Sequence, residues 1–148
     1  KNIAYVPSIS GKDQWKGKNR RKLVEELLAQ VGLDPILADR YPRTLSGGQR
    51  QRVGIARALA ARPEILLMDE PFGAVDEITR GQLQQIRRIQ EDRGITILFV
   101  THDIEEALKL GSRVLVLDHG VIQQYAMPEE ILQNPATEFV KQLVGTCK

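Results

Sequence analysis

Two short apolar runs, Ile65-Leu66-Leu67-Met68 and Ile95-Thr96-Ile97-Leu98-Phe99-Val100, constrain this chain more than any other feature. Each is short for a buried helix, and the pattern fits strands covered on both faces. Between them Ile78, Leu83, Ile86 and Ile89 recur at helical spacing, and Gly94 closes that helix. Strand, helix and strand in this order make a βαβ unit with a right-handed crossover, which places the chain in the α/β class.

Elements on either side extend the reading. Leu23, Val24, Leu27, Leu28 and Val31 mark a helix that Gly32 stops, while Asn2 to Gly17 reads as irregular. A polar connection through Asp34, Pro35 and Pro42 leads to a second helix, from about Gly47 to Ala61. Pro63 ends it and pushes Arg62 out of helical geometry. Beyond the βαβ unit the spacing predicts a helix over Ile104–Leu110 and a strand over Arg113–Leu117. A two-residue turn at His119-Gly120, a returning strand near Val121–Tyr125 and two short helices near Glu129–Leu132 and Thr137–Leu143 follow. The first third is helical and the rest alternates. A helical subdomain over 1–62 and an α/β part over 63–148 are therefore expected.

Bulk properties exclude several functions. With 21 basic and 19 acidic residues the net charge is +2, which gives no electrostatic support to nucleic-acid binding. The single cysteine, Cys147, cannot form an internal disulfide. No apolar run reaches the ~18–20 residues of a membrane span. The chain does not begin with Met, so it is expected to be an excerpt of a longer protein.

Three constellations carry chemistry. In LSGGQRQRVGIARAL, Leu45 to Leu59, Ser46, Gly47 and Gly48 precede a helix whose first N–H groups lack internal partners. The helix dipole adds positive character there, and the glycines let a phosphate approach the backbone. The Ser46 hydroxyl and the Gln49 amide can add hydrogen bonds. In EILLMDEPFGAVD, Glu64 to Asp76, a buried strand delivers Asp69 and Glu70 to the sheet rim where ligands of α/β sheets bind. Asp69 can hold Mg²⁺ and Glu70 can polarise an attacking water. His102, after the second strand, is expected at the same sheet end, placed to donate to a γ-phosphate oxygen. His119 and Cys147 read as surface and terminal residues without chemistry.

A phosphate-binding loop of the form G-x-x-x-x-G-K-[ST] should accompany such residues. The stretch SGKDQWKGKN, Ser10 to Asn19, imitates it and fails. Gly11 and Gly17 are one residue too far apart, Asn19 stands where a hydroxyl is needed, and Pro7 interrupts the preceding apolar residues. Arg20, Arg21 and Lys22 read as a solvated helix start.

Taken together, these residues resemble the C-terminal portion of an ABC-transporter ATP-binding subunit, lacking the P-loop and Q-loop. LSGGQ resembles that family's signature motif, ILLMDE its Walker B strand, GAVD its D-loop and His102 its switch histidine. DEPFGAVDEITR, THDIEEALKLGSRV and VIQQYAMPEEILQNPATEFV are most similar to the importer branch for osmoprotectants such as glycine betaine, carnitine and choline. Importers of the nitrate and sulfonate type share DEPFGA, with less similar tails. Val75 departs from the leucine usual in the D-loop and leaves Asp76 in place.

The resemblance implies a P-loop NTPase fragment, with a helical signature subdomain and a partial, mainly parallel sheet. It implies ATP and Mg²⁺ as ligands, with Ser46, Gly47, Gly48, Gln49 and Asp76 on the nucleotide. It further implies a head-to-tail dimer with a second ATPase subunit, an integral-membrane permease, indirect service to an extracytoplasmic solute-binding protein, and a place on the cytoplasmic face of the membrane. Two other classes are weighed against this. A DNA- or ribosome-directed ABC ATPase is disfavoured by the absence of sustained heptads and by the balanced charge. A truncated, non-catalytic interaction module remains open on the sequence.

Overall fold

A computed structural model of the chain describes residues 2–5, 18–71 and 80–145. Helix α1, Lys18–Gln30, buries Leu27 and Leu28 on its core side. Its basic start is solvated as expected: the exposed Arg21 guanidinium bonds Glu25 and Asp39, each at 2.8 Å. Gly32 ends the helix at φ +64°. The Gly32 N–H donates to Ala29 O and the Leu33 N–H to Leu28 O, both at 2.9 Å. This is the paired closure that a left-handed glycine permits, with Leu33 buried beside Leu28.

The connection is more regular than its polar sequence suggests. It forms two 3₁₀ turns, Pro35–Asp39 and Pro42–Thr44, each with proline at its start. Helix α2, Gly47–Ala60, follows and buries Ala56, Leu59 and Ala60. Arg62 leaves helical geometry as Pro63 requires, into the left-handed region at φ +53°. There its N–H still reaches Leu59 O at 3.0 Å and closes the last turn.

Strand β1, Ile65–Asp69, helix α3, Arg80–Arg93, and strand β2, Thr96–Val100, form the expected strand–helix–strand unit. β1 and β2 are neighbours in one sheet. Thr96 N–H donates to Glu64 O at 2.9 Å, joining the strands at their N-terminal ends, so they run parallel. The expectation that both faces are covered does not hold. Leu66 and Met68 are buried, whereas Ile65 is 62% and Leu67 71% exposed. Leu98 and Val100 of β2 are exposed as well. The apolar runs are composed for cover on two faces, and the described residues cover one.

Strands β3, Val114–Asp118, and β4, Val121–Ala126, form an antiparallel hairpin. His119 at φ +46° and Gly120 at φ +79° make the two-residue turn, with Asp118 opposite Val121. Two left-handed residues match the natural twist of a hairpin. β3 was expected as a third member of one mainly parallel sheet. Among the described residues it hydrogen-bonds only to β4, because the tight turn brings β4 against it, and the sheet divides into a parallel pair and an antiparallel pair.

Helices α4, Ile104–Leu110, α5, Pro128–Gln133, and α6, Glu138–Gly145, complete this part. Val114, Val116, Ala126, Ile131 and Val140 form its buried core. The Gln124 side chain donates to Asn134 O at 3.0 Å and accepts from Ala136 N–H at 2.9 Å, fastening the α5–α6 connection.

The chain divides into two compact units, Lys1–Phe99 and Val100–Lys148. The change of pattern at Arg62–Pro63 falls inside the first unit. Among the described residues, no helix is long and apolar enough to cross a membrane.

Candidate functional site

Ser46, Gly47, Gly48 and Gln49 stand at the start of α2. Ser46 is its N-cap: Gln49 N–H donates to Ser46 Oγ at 3.2 Å, and Ser46 N–H donates to Gln49 Oε1 at 2.9 Å. This reciprocal capping box uses one oxygen of each side chain. The Ser46 hydroxyl proton and the Gln49 amide protons remain on the donor side. No acidic residue lies in the first turn. A Cβ at Gly47 or Gly48 would meet nothing within 4 Å, and glycines at a helix start let an anion approach the backbone closely.

Two arginines hold this helix from below. Arg50 Nη1 donates to Leu45 O at 3.0 Å, and Arg52 Nη1 donates to Gly32 O at 3.1 Å. Arg52 therefore bonds the end of α1 and fixes the two helices to each other. These arginines are spent on backbone carbonyls.

Asp69 is the last residue of β1, and Glu70 follows it at φ +43°. Both are exposed, and Pro71 behind them is buried. Gln51 Nε2, in α2, donates to the backbone oxygen of Glu70 at 3.2 Å. The signature helix and the acidic strand end are thus in direct contact. That contact escapes sequence reasoning, since nineteen positions separate its partners.

His102 is exposed, in the bend between β2 and α4. Its neighbours are well fixed. Thr101 Oγ1 donates to Glu106 Oε2 at 2.6 Å, and Asp103 caps α4 by accepting from Glu105 N–H at 2.8 Å and Glu106 N–H at 3.3 Å. The string D-I-E-E carried a readable capping signal for Asp103. His102 belongs to the second compact unit, whereas Ser46 to Gln49, Asp69 and Glu70 belong to the first. Asp76, Val75, Cys147 and the Gly11–Gly17 stretch lie outside the described residues.

Asp69 and Glu70 offer adjacent exposed carboxylates, and no group of three or more His, Cys, Asp or Glu suited to a metal occurs among the described residues. One or two carboxylates fit Mg²⁺, which usually keeps waters and takes phosphate oxygens to complete its shell. They would not suit a metal needing an all-protein cage.

A helix start with two glycines, in contact with a strand end bearing Asp-Glu, matches the ATP-binding-cassette arrangement that the resemblance implies. Comparison with known proteins agrees. The ABC transporter family model matches residues 1–73. The chain is 49% identical over 145 residues to the glycine betaine/carnitine/choline transport ATP-binding protein OpuCA of Bacillus subtilis (strain 168), covering 97% of this chain and 37% of that protein. It is 47% identical over 146 residues to the sulfate/thiosulfate import ATP-binding protein CysA of Pseudomonas aeruginosa, covering 97% of this chain and 44% of that one. A dimeric ATP-binding cassette in a post-hydrolysis state, bound to ADP and Pi, superposes with a TM-score of 0.74 at 35% identity, over 85% of this chain and 54% of that one.

Over almost its whole length the chain is thus similar to ATP-binding subunits of ABC transporters. It spans roughly two fifths of the length of these curated relatives.

Proposed function

We propose that this chain forms part of an ATP-hydrolysing subunit that energises an ABC importer for an osmoprotectant such as glycine betaine, carnitine or choline. The observation that carries the ATPase reading is the Gly47–Gly48 helix start, joined through Gln51 to the Asp69–Glu70 strand end, and the relative named for glycine betaine, carnitine and choline transport supports the solute. In a head-to-tail dimer, residues 1–62 serve as the lid over the ATP held by a second ATPase subunit, and residues 63–148 carry the hydrolytic groups. Ser46, the N–H groups of Gly47 and Gly48, and Gln49 then face the γ-phosphate. Glu70 accepts a proton from the water that attacks phosphorus, the bond to the β-phosphate breaks, and ADP and phosphate leave. Asp69 would hold Mg²⁺, which when bound would supply charge neutralisation on the phosphate oxygens. His102 donates to a γ-phosphate oxygen, and Asp76 approaches the nucleotide across the dimer. The subunit works on the cytoplasmic face of the membrane, docked on an integral-membrane permease that an extracytoplasmic binding protein loads.

Glu70→Gln in the full-length subunit tests the chemistry. It should lower turnover by roughly 10²–10⁴-fold while ATP binding is retained. A rate within tenfold of the unmodified subunit would remove Glu70 as the base.

The relative named for sulfate and thiosulfate import favours a second reading, in which the same ATPase drives uptake of another small solute. Deleting the gene and measuring uptake of labelled glycine betaine and labelled sulfate separates them. Loss of sulfate uptake alone selects the second.

A further inference from the structure

Gln51 has no role in the assignments above, yet it bonds α2 to the acidic strand end. We infer that Gln51 is a positioning residue: its side-chain amide holds the backbone of Glu70 in the turn that aims the Glu70 carboxylate. The inference rests on Glu70 being the general base.

The geometry supports it at each step. Glu70 sits at φ +43°, in the left-handed region that a residue with a side chain rarely adopts. Such a conformation persists when its surroundings hold it in place. Pro71 follows immediately and, lacking an N–H, contributes no donor to the turn. The Gln51 amide donates to the Glu70 carbonyl at 3.2 Å. Rotating Glu70 back towards the extended region would swing that carbonyl away and break the bond.

The donor is itself mounted on a rigid base. Arg52 ties α2 to Gly32 O at 3.1 Å, Arg50 ties it to Leu45 O at 3.0 Å, and the Ser46–Gln49 box closes its start. A reacting group supported by neighbours locked in this way keeps its aim, and a displacement of about 1 Å can cost roughly 100-fold in rate.

Steady-state ATPase kinetics on the full-length subunit test this with Gln51→Ala, Gln51→Glu, Glu70→Gln and the double variant Gln51→Ala/Glu70→Gln. Gln51→Glu keeps the length of the side chain and replaces its donor with an acceptor. Both Gln51 variants should lower kcat by roughly 10- to 100-fold, with the KM for ATP within about twofold of the unmodified subunit. In the Glu70→Gln background, Gln51→Ala should change the residual rate by less than about twofold, since no base remains to be aimed. If Gln51→Ala loses its melting transition, the near-isosteric Gln51→Glu decides alone. Unchanged kcat in a folded Gln51→Glu, or an equal loss from Gln51→Ala with and without Glu70, overturns the inference. If Glu70→Gln itself keeps its rate, the assignment of the base fails, and the inference falls with it by a separate and recognisable route.

Discussion

At the scale of single residues, Ser46 serves two purposes that one oxygen can combine. It accepts from Gln49 N–H at 3.2 Å, which leaves its own proton to donate. Ser46→Ala should therefore weaken the protein by about 1 kcal/mol, the usual cost of removing a serine cap, seen as a lower denaturant midpoint. Gly48→Asp should act differently, because a Cβ at Gly48 would meet nothing within 4 Å. Folding should survive, while the added carboxylate repels the γ-phosphate and prevents ATP-dependent dimer closure. Normal ATP-dependent dimerisation of that variant, measured by light scattering, would remove the signature assignment. The capping box was legible, because S-x-x-Q has a local cause. The Gln51–Glu70 bond was not, because it depends on how a helix and a distant strand end are brought together.

At the scale of elements, the ends were readable wherever one residue fixes the backbone. Gly32 and the His119-Gly120 turn occur where the sequence puts them, each at positive φ. Gly32→Ala should cost about 1 kcal/mol or more, since alanine is strained at φ +64° and its Cβ would also come within 2.6 Å of the Gln85 amide. A melting temperature unchanged in Gly32→Ala would contradict this account of how α1 ends. Arg62 shows the limit of such reading. A residue before proline is biased to extended geometry, but the closing bond of α2 draws it left-handed instead. Burial was legible only in part. The apolar runs correctly marked β1 and β2, yet a run of side chains cannot report which of its faces is covered.

At the scale of the whole molecule, those uncovered faces dominate behaviour. Ile65 and Leu67 on β1, Leu98 and Val100 on β2, and Leu115 and Leu117 on β3 are all exposed. Apolar strands left open recruit other chains. The 148-residue chain should therefore self-associate in size-exclusion chromatography, and Leu67→Lys should shift it towards smaller species. A monomeric elution for the unmodified chain would reject the argument. The same chain should lack micromolar affinity for MgATP in calorimetry. The start of α2 offers an exposed anion about 0.3–1 kcal/mol, against the ~8 kcal/mol that micromolar binding requires.

The fastening of Gln124 to Asn134 and Ala136, over the core of Ala126, Ile131 and Val140, bears on ancestry. All of these residues lie in VIQQYAMPEEILQNPATEFV, the string that most resembles the osmoprotectant branch. Their work is architectural: they close a hairpin and two helices into one block. The string is therefore a lineage marker. It reports how the second compact unit is held together, and a likeness in it is a likeness of architecture.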